Sequence, residues 1–264
     1  MRVNKLREKL NSGEPTVSTH ILSVWPAVVE AIGHTGQYDY VEFVAEYGSF
    51  DLHDLDNLCR AAELHNMGSM IKIDQSHQSF LAQRGIGAGF GSVLFTDARS
   101  AEDVRECILD AKPDTPEHGG MYGTATRRNS YMGYGGSQNY VDSVADTVIA
   151  VMIEKKGAID ELDEILSIPG LDMVQWGGSD YAMSIGQAGK RYTPEIDAVR
   201  MKVFQMALEK GVHPRAEIRS VDEVPKYMDM GVRHFSIGTD LAILHDWWKE
   251  QGTALQRAIS DGAR

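Results

Sequence analysis

Short apolar runs alternate with amphipathic stretches along almost the whole chain. The runs are rich in valine, isoleucine and phenylalanine and are too short for helices, so each predicts a buried strand. The predicted strands are Thr16–Ile21, Tyr40–Ala45, Ser69–Ile73, Ser92–Phe95, Thr147–Ile153, Asp172–Trp176, His213–Ile218 and His234–Gly238. The stretches between them predict helices at Pro26–Ile32, Leu52–Leu64, Ala101–Ala111, Ala158–Leu166, Pro194–Lys210 and Val221–Met230.

Eight strands that alternate with helices indicate a parallel sheet, and that number of parallel strands closes naturally into a barrel. A length of 264 residues is typical of one such barrel. We therefore predict that residues 1–264 form a single catalytic domain of the α/β class, a (β/α)₈ or TIM barrel. An open, doubly wound sheet is the alternative. It would need a glycine-rich phosphate turn after the first strand, and Leu22-Ser23-Val24-Trp25 is not one.

The charge and composition narrow the range of partners. The 26 basic and 38 acidic residues give a net charge of −12, which disfavours nucleic acid and anionic membranes as partners. No apolar run approaches the roughly 18 residues of a membrane span, and the polar stretch at the start resembles no signal peptide. Two cysteines, Cys59 and Cys107, are too few for a disulfide framework. We expect a cytoplasmic protein.

One glycine-rich segment, Pro113–Gln138, interrupts the alternation of strands and helices. Long irregular connections in compact barrels are often functional. We expect either a plain surface excursion or a segment that reaches over a neighbouring active site or subunit. Its notable side chains are Tyr122, Arg127, Arg128, Tyr131 and Tyr134.

The candidate chemistry lies at the carboxyl ends of the strands, where barrel enzymes carry their reacting groups. Glu154 ends the apolar run of the fifth predicted strand, and Asp180 follows the sixth. Two carboxylates at the ends of adjacent strands can share a hard cation such as Mg²⁺ or Mn²⁺ and leave coordination positions for water and substrate oxygens. The alternative is that each carboxylate caps the helix that follows it, because acids favour helix N-termini.

Four segments surround these two acids: Val151-Met152-Ile153-Glu154, Ala158–Leu166, Ile168–Asp172 and Gly177-Gly178-Ser179-Asp180. They resemble the HpcH/HpaI aldolase family, whose members are class II, metal-dependent pyruvate aldolases. The similarity extends from Phe43–Leu58 to Ile237–Asp240. The resemblance implies that Glu154 and Asp180 hold a divalent metal (Mg²⁺, Mn²⁺ or Co²⁺). It also implies a barrel with an exchanged C-terminal helix, assembled as a hexamer.

The resemblance further implies an aldehyde-lyase. Such an enzyme cleaves a 4-hydroxy-2-oxo acid to pyruvate, or a related 2-oxo acid, and an aldehyde through a metal-stabilised enolate. Backbone N–H groups at Gly178 and Ser179 are then candidates for binding the substrate carboxylate. The alternatives are a condensation or oxaloacetate decarboxylation at the same metal site, or a non-catalytic relative that binds a 2-oxo acid.

The chain departs from the family at the catalytic base. The family has Glu-His after strand two and an arginine at the end of strand three, whereas this chain has Glu46-Tyr47 and Lys72. The two acids that would support the histidine correspond to Val44 and Gln83. We therefore expect altered chemistry or an altered substrate.

Lys72, Tyr47 and Glu46 remain the catalytic candidates at these positions. Lys72 keeps a positive charge that can pair with a substrate oxyanion, although it lacks the planar fork of arginine. Tyr47 would need a lowered pKa to act as a base and could instead donate a hydrogen bond, which leaves Glu46 or a metal-bound water as base. Among the histidines, those expected near the barrel mouth are His20, His77 and His118, with His118 as the substitute-base candidate.

Overall fold

The computed structural model describes residues 3–124 and 135–262. Eight parallel strands pair in sequence order and close into a barrel, which confirms the predicted fold. The strands are β1 (Thr16–Ile21), β2 (Tyr40–Val44), β3 (Gly68–Ile73), β4 (Ser92–Phe95), β5 (Val148–Ile153), β6 (Met173–Trp176), β7 (His213–Ile218) and β8 (His234–Thr239). Each observed strand end lies within one residue of its predicted position.

The helices connect these strands. They are α1 (Lys5–Ser12), α2 (Pro26–His34), α3 (Leu52–Leu64), α4 (Gln78–Ala88), α5 (Ala101–Ala111), α6 (Gln138–Ala145), α7 (Lys156–Asp160), α8 (Leu162–Ile165), α9 (Gly178–Ser184), α10 (Pro194–Glu209), α11 (Val224–Met230) and α12 (Asp240–Gly262). A 3₁₀ turn at Val221–Glu223 precedes α11. Both cysteines are buried, in α3 and α5.

The structure divides one predicted helix and contains helices that were not predicted, among them α1. The helix predicted at Ala158–Leu166 is divided into α7 and α8, because Glu161 leaves the helical path and accepts a hydrogen bond from the backbone N–H of Ala101 (2.7 Å). The polar stretch near the N-terminus forms α1, whose Leu6 and Leu10 lie four residues apart and are both buried. They pack on the apolar side chains at the amino end of the barrel interior: Tyr40, Met70, Leu94, Val148, Ala150, Met152 and Met173.

The described part of the connection between α5 and β5 leaves α5 and enters β5 at the amino end of the barrel. Lys112 Nζ donates to the backbone oxygens of Ala145 (2.6 Å) and Thr147 (2.9 Å), directly before β5. His118 belongs to this connection and contacts Thr115. The expectation that His118 lies near the mouth of its own barrel is therefore wrong, because the mouth is at the opposite end. The segment's other predicted residues, Arg127, Arg128, Tyr131 and Tyr134, lie outside the described residues.

The last helix, α12, extends from the barrel with residues 241–262 exposed. Its start is fixed, since the Asp240 carboxylate accepts hydrogen bonds from the backbone N–H groups of Leu22 (2.9 Å) and Ser23 (3.0 Å). Beyond it, apolar side chains face solvent at Leu241, Ile243, Leu244, Trp247, Trp248, Leu255 and Ile259. Within the described ranges, no helix combines the length and apolar character needed to cross a membrane.

Candidate active site

Glu154 is buried directly after β5, at the carboxyl end of the barrel. Its Oε1 accepts a hydrogen bond from the backbone N–H of Asp97 (2.8 Å). Asp97 has a φ of 61°, which is uncommon for a residue other than glycine and is often found at functional sites. A Cβ at Gly177 would lie 2.1 Å from Glu154 Oε2, so only glycine leaves room for the carboxylate there. The loops after β4 and β6 together shape this position.

The charge on Glu154 is not paired directly with a basic side chain in the described part of the chain. Burial raises the pKa of Glu154 to about 7, and the Asp97 N–H and the charge of Lys72 only partly oppose that rise. The neighbouring Asp180 carboxylate raises the pKa further. Among the described residues, no lysine, arginine or histidine forms an ion pair with Glu154. A buried carboxylate in these surroundings attracts a positive ion.

Lys155 connects the loops after β4, β5 and β6. Its Nζ lies 2.5 Å from Asp97 Oδ1 and 2.8 Å from Asp180 Oδ1. The lysine side chain is 11% exposed, whereas that of Asp180 is 37% exposed. Asp97 and Lys155 were not predicted as site residues. Their contacts depend on how the neighbouring loops fold, which the sequence pattern does not show.

The side chains of Glu46, Tyr47 and Lys72 come together at the ends of β2 and β3. Lys72 Nζ lies 2.6 Å from Glu46 Oε2 and 3.5 Å from Tyr47 Oη. Burial alone would lower the pKa of Lys72, but the attraction of Glu46 outweighs it and raises that pKa above its usual value. Partial burial also raises the pKa of Tyr47. At neutral pH, Lys72 is therefore a cation and Tyr47 a protonated phenol.

Gly178 and Ser179 begin α9, next to Asp180 in the same helix. Ser179 Oγ accepts a hydrogen bond from Arg191 Nη1 (3.0 Å), and the Arg191 guanidinium lies 4.6 Å from the ring centre of Tyr192. The position predicted to bind a substrate carboxylate thus has an arginine beside it. No sequence pattern indicates this contact, since Arg191 lies in the loop before α10.

A buried polar network fills the barrel interior below these groups. The Arg215 side chain is fully buried and contacts Glu42, Gln175 and Ser18, with its Nη2 2.9 Å from Ser18 Oγ. Burial raises the pKa of Glu42, but the attraction of Arg215 and His20 is stronger and holds it well below its usual range. The signal in the sequence was an arginine and a glutamate inside apolar strands, at positions whose side chains alternate towards the interior.

His20 lies at the edge of this network that is nearer the carboxyl ends of the strands, and it is 6% exposed. Its Nε2 is 3.0 Å from Ser236 Oγ and 3.5 Å from Glu42 Oε2. Its Nδ1 is 3.9 Å from Glu217 Oε1, and the Glu217 side chain is 52% exposed. His20 therefore lies where the sequence expected it, near the mouth of the barrel.

The residues present fit a hard divalent cation. In residues 3–124 and 135–262, no group of three histidine, cysteine, aspartate or glutamate side chains is arranged around one metal position. A metal at Glu154 and Asp180 would therefore bind two carboxylates and take its other ligands from water and substrate, which suits Mg²⁺ or Mn²⁺. Gly177 has no side chain that would displace the Glu154 carboxylate from this position.

Comparisons with known proteins agree with this architecture. The model of the family described as HpcH/HpaI aldolase/citrate lyase matches residues 21–246. A hydroxypyruvate/pyruvate aldolase of Paraburkholderia phytofirmans is 24% identical over 241 residues, which cover 90% of this chain and 92% of that protein. The solved structure of an HpcH/HpaI aldolase from Desulfitobacterium hafniense has a TM-score of 0.83 at 21% identity, over 96% of this chain and 97% of that one.

A more distant structure is that of the protein CitE from Mycobacterium tuberculosis, solved in complex with magnesium and pyruvate. Its TM-score is 0.55 at 13% identity, over 85% of both chains. The family model covers most of the chain, and Glu154 and Asp180 follow the carboxyl ends of β5 and β6. The chain therefore belongs to the HpcH/HpaI aldolase/citrate lyase family and is, by class, a carbon–carbon lyase.

Proposed function

We propose that this enzyme cleaves a 4-hydroxy-2-oxo acid to pyruvate, or a related 2-oxo acid, and an aldehyde, using a divalent metal held by Glu154 and Asp180. The observation that carries the proposal is the buried Glu154 carboxylate, which lies beside Asp180 and has no basic partner among the described side chains. The magnesium and pyruvate in the CitE structure and the name of the Paraburkholderia relative support it. We expect the enzyme to act in the cytoplasm.

When bound, the metal supplies a Lewis acid that stabilises negative charge on the keto oxygen of the substrate. Lys72 adds a second positive charge, and Glu46 fixes its position through their ion pair of 2.6 Å. Tyr47 is protonated and half-exposed, so it serves as a hydrogen-bond donor to a substrate oxygen rather than as a base. The backbone N–H groups of Gly178 and Ser179 bind the substrate carboxylate at the start of α9.

Exchange of the pyruvate methyl protons in deuterated buffer tests this proposal without knowledge of the aldehyde. Proton NMR should show that the methyl signal decays when the enzyme is supplied with Mg²⁺ or Mn²⁺. A chelator should stop the decay, because the negative charge on the enolate then lacks its strongest stabilising partner. Exchange that is unaffected by the chelator, or no exchange with any of Mg²⁺, Mn²⁺ and Co²⁺, would contradict the proposal.

Replacing Lys155 with methionine is expected to tighten Mn²⁺ binding by roughly tenfold, or about 1.4 kcal/mol. The Lys155 ammonium lies 2.8 Å from Asp180 Oδ1 and competes with the metal for that carboxylate. The free Mn²⁺ signal in an electron paramagnetic resonance titration measures the affinity. Lys156→Met is the matched control, since Lys156 pairs with Asp160 and is 62% exposed. Weaker binding in Lys155→Met would show that the lysine positions Asp180 instead.

We also propose that α12 binds a second copy of this chain, in an exchange that leads to a hexamer. Exposed tryptophans and leucines on one helix are costly in water, and each would contribute about 1.5–3 kcal/mol if another subunit buried it. The start of this helix is close to the barrel mouth, because the Asp240 carboxylate accepts hydrogen bonds from the loop after β1.

Replacing Trp247 and Trp248 together with serine is expected to convert the oligomer to monomers at micromolar concentration. The two side chains are 59% and 61% exposed in the single chain, so their loss should not disturb the barrel. Size-exclusion chromatography with light scattering measures the mass. Lys249→Ser with Glu250→Ser, on the same helix, is the control. A wild-type protein that is already monomeric, or a variant of unchanged mass, would contradict the proposal.

A further inference from the structure

The site described above contains acids, a lysine and a tyrosine but no assigned group that accepts a proton from carbon. Tyr47 is protonated at neutral pH, and Glu46 is engaged by Lys72 at 2.6 Å. His118, the substitute expected from the sequence, lies at the amino end of the barrel. The remaining histidine inside the carboxyl half of the barrel is His20, which the proposed chemistry has not used.

One side of the His20 ring is held by the barrel interior. Nε2 faces Ser236 Oγ at 3.0 Å and Glu42 Oε2 at 3.5 Å. The Glu42 carboxylate can only accept a hydrogen bond, so it favours the tautomer that carries its proton on Nε2. Arg215 Nη2 is also 3.5 Å from this nitrogen, but the Arg215 charge is already paired with Glu42. The ring is thus oriented by a carboxylate, as in many general bases.

The other side of the ring faces the barrel mouth. Nδ1 lies 3.9 Å from Glu217 Oε1, and the half-exposed Glu217 marks the carboxyl end of β7. With the proton on Nε2, the lone pair of Nδ1 points towards the opening. Two carboxylates, Glu42 and Glu217, flank the imidazole, and their negative charges stabilise the imidazolium that forms when Nδ1 takes a proton. The positive charge of Arg215 opposes them.

We infer that His20 is the general base that removes a methyl proton from the 2-oxo acid. The carbon–hydrogen bond breaks, the proton goes to Nδ1, and the electron pair forms the carbon–carbon double bond of the enolate, with the negative charge on the keto oxygen. In the cleavage direction, Nδ1 takes the proton of the substrate 4-hydroxyl as the bond between C3 and C4 breaks and the aldehyde forms. The His20 imidazolium then gives that proton to the enolate carbon, and pyruvate is released. This inference rests on the proposed function, because it assigns the base for the same enolate.

The test is methyl-proton exchange by the Mn²⁺-loaded enzyme, compared between wild type and His20→Gln. Removal of a general base is expected to slow exchange by at least about 100-fold. Added imidazole should restore part of the rate, and the Mn²⁺ affinity should not change, because His20 does not contact Glu154 or Asp180 among the described contacts. The control is His77→Gln, which alters a different histidine, in the loop between β3 and α4.

The exchange rate of Glu217→Gln at a fixed pH provides a second test if His20→Gln does not fold. Glu217 is half-exposed, so glutamine should be tolerated, and the loss of the carboxylate that faces Nδ1 should slow exchange without a change in Mn²⁺ affinity. Unchanged exchange in Glu217→Gln, or a folded His20→Gln that exchanges at the wild-type rate, would overturn the assignment of His20. Either result leaves the proposed function intact, whereas a wild type that does not exchange at all overturns the proposed function itself.

Discussion

The Glu154→Gln variant is expected to lose metal-dependent exchange of the pyruvate methyl protons by at least about 10²–10³-fold, because the electrostatic stabilisation of the enolate is removed. Glutamine keeps the shape of the side chain and can still accept the 2.8 Å hydrogen bond from the Asp97 N–H. The variant therefore removes the negative charge with little change in packing. NMR measures the loss of methyl-proton exchange, and a Mn²⁺ titration measures the loss of metal affinity separately.

The same variant should be more stable than the wild type when both lack metal. The folded-state pKa of Glu154 is raised to about 7, so ionisation of this carboxyl destabilises the fold as pH rises from the unfolded pKa of about 4.3 through 7. We expect a gain on the order of 1–3 kcal/mol at pH 8 that disappears below about pH 4. Thermal unfolding at several pH values measures it. Such a gain is typical of a site that sacrifices stability for function.

Glu161→Gln is the matched control for Glu154→Gln. Glu161 also accepts a hydrogen bond from a backbone N–H of the segment after β4, that of Ala101 at 2.7 Å, but it lies between α7 and α8, outside the site. We expect its exchange rate to stay within about twofold of the wild type, since surface changes have small effects. If Glu154→Gln kept exchange within tenfold of wild type, Glu154 would not be a metal ligand.

The Arg215→Met variant is expected to lose about 3–5 kcal/mol of the free energy of unfolding. Arg215 is fully buried and pairs with Glu42, which is itself 1% exposed. Methionine fills much of the volume but leaves a buried carboxylate without its counter-ion. Glu42 has a folded-state pKa well below its usual range, so its contribution is present above the unfolded pKa of about 4.3 and declines as pH falls below it.

Urea unfolding of a double-mutant cycle measures this effect. Adding Glu42→Gln to Arg215→Met should recover part of the lost stability, because the second change removes the unpaired charge. Arg200→Met is the control, since Arg200 forms a partly exposed pair with Asp197 on one helix and should cost no more than about 1 kcal/mol. A loss below 1 kcal/mol for Arg215→Met would mean that the interior does not depend on this ion pair.

The strands could be predicted closely because a parallel barrel buries both faces of each strand. Such strands form continuous apolar runs, as in Val148–Ile153, and their ends are marked where the first charged residue appears. That rule also located Glu154, whereas Lys72 lies within β3 and was located by the family resemblance. The ends of helices were predicted less accurately than the ends of strands. The break at Glu161 is an example, because Glu161 accepts a hydrogen bond from Ala101, which is distant in the sequence.

The pairings inside the site could not be predicted, because they depend on strand register and loop conformation. The registers place Glu42 beside His20 across β1 and β2, and Gln175 beside Arg215 across β6 and β7. When each strand is considered alone, such a residue is only a polar position in an otherwise apolar run. The position of Lys155 between two carboxylates likewise depends on the unusual backbone of Asp97, which no local pattern indicates.

A crystal structure of the protein with Mn²⁺ and oxalate, a stable analogue of the pyruvate enolate, tests the central claim most directly. Anomalous scattering should place one Mn²⁺ ion between Glu154 and Asp180, about 2.0–2.2 Å from a carboxylate oxygen of each, with oxalate completing its ligands. Lys72 should lie beside the oxalate. An ion bound elsewhere, or oxalate bound at the barrel mouth with no metal between these two acids, would contradict the account.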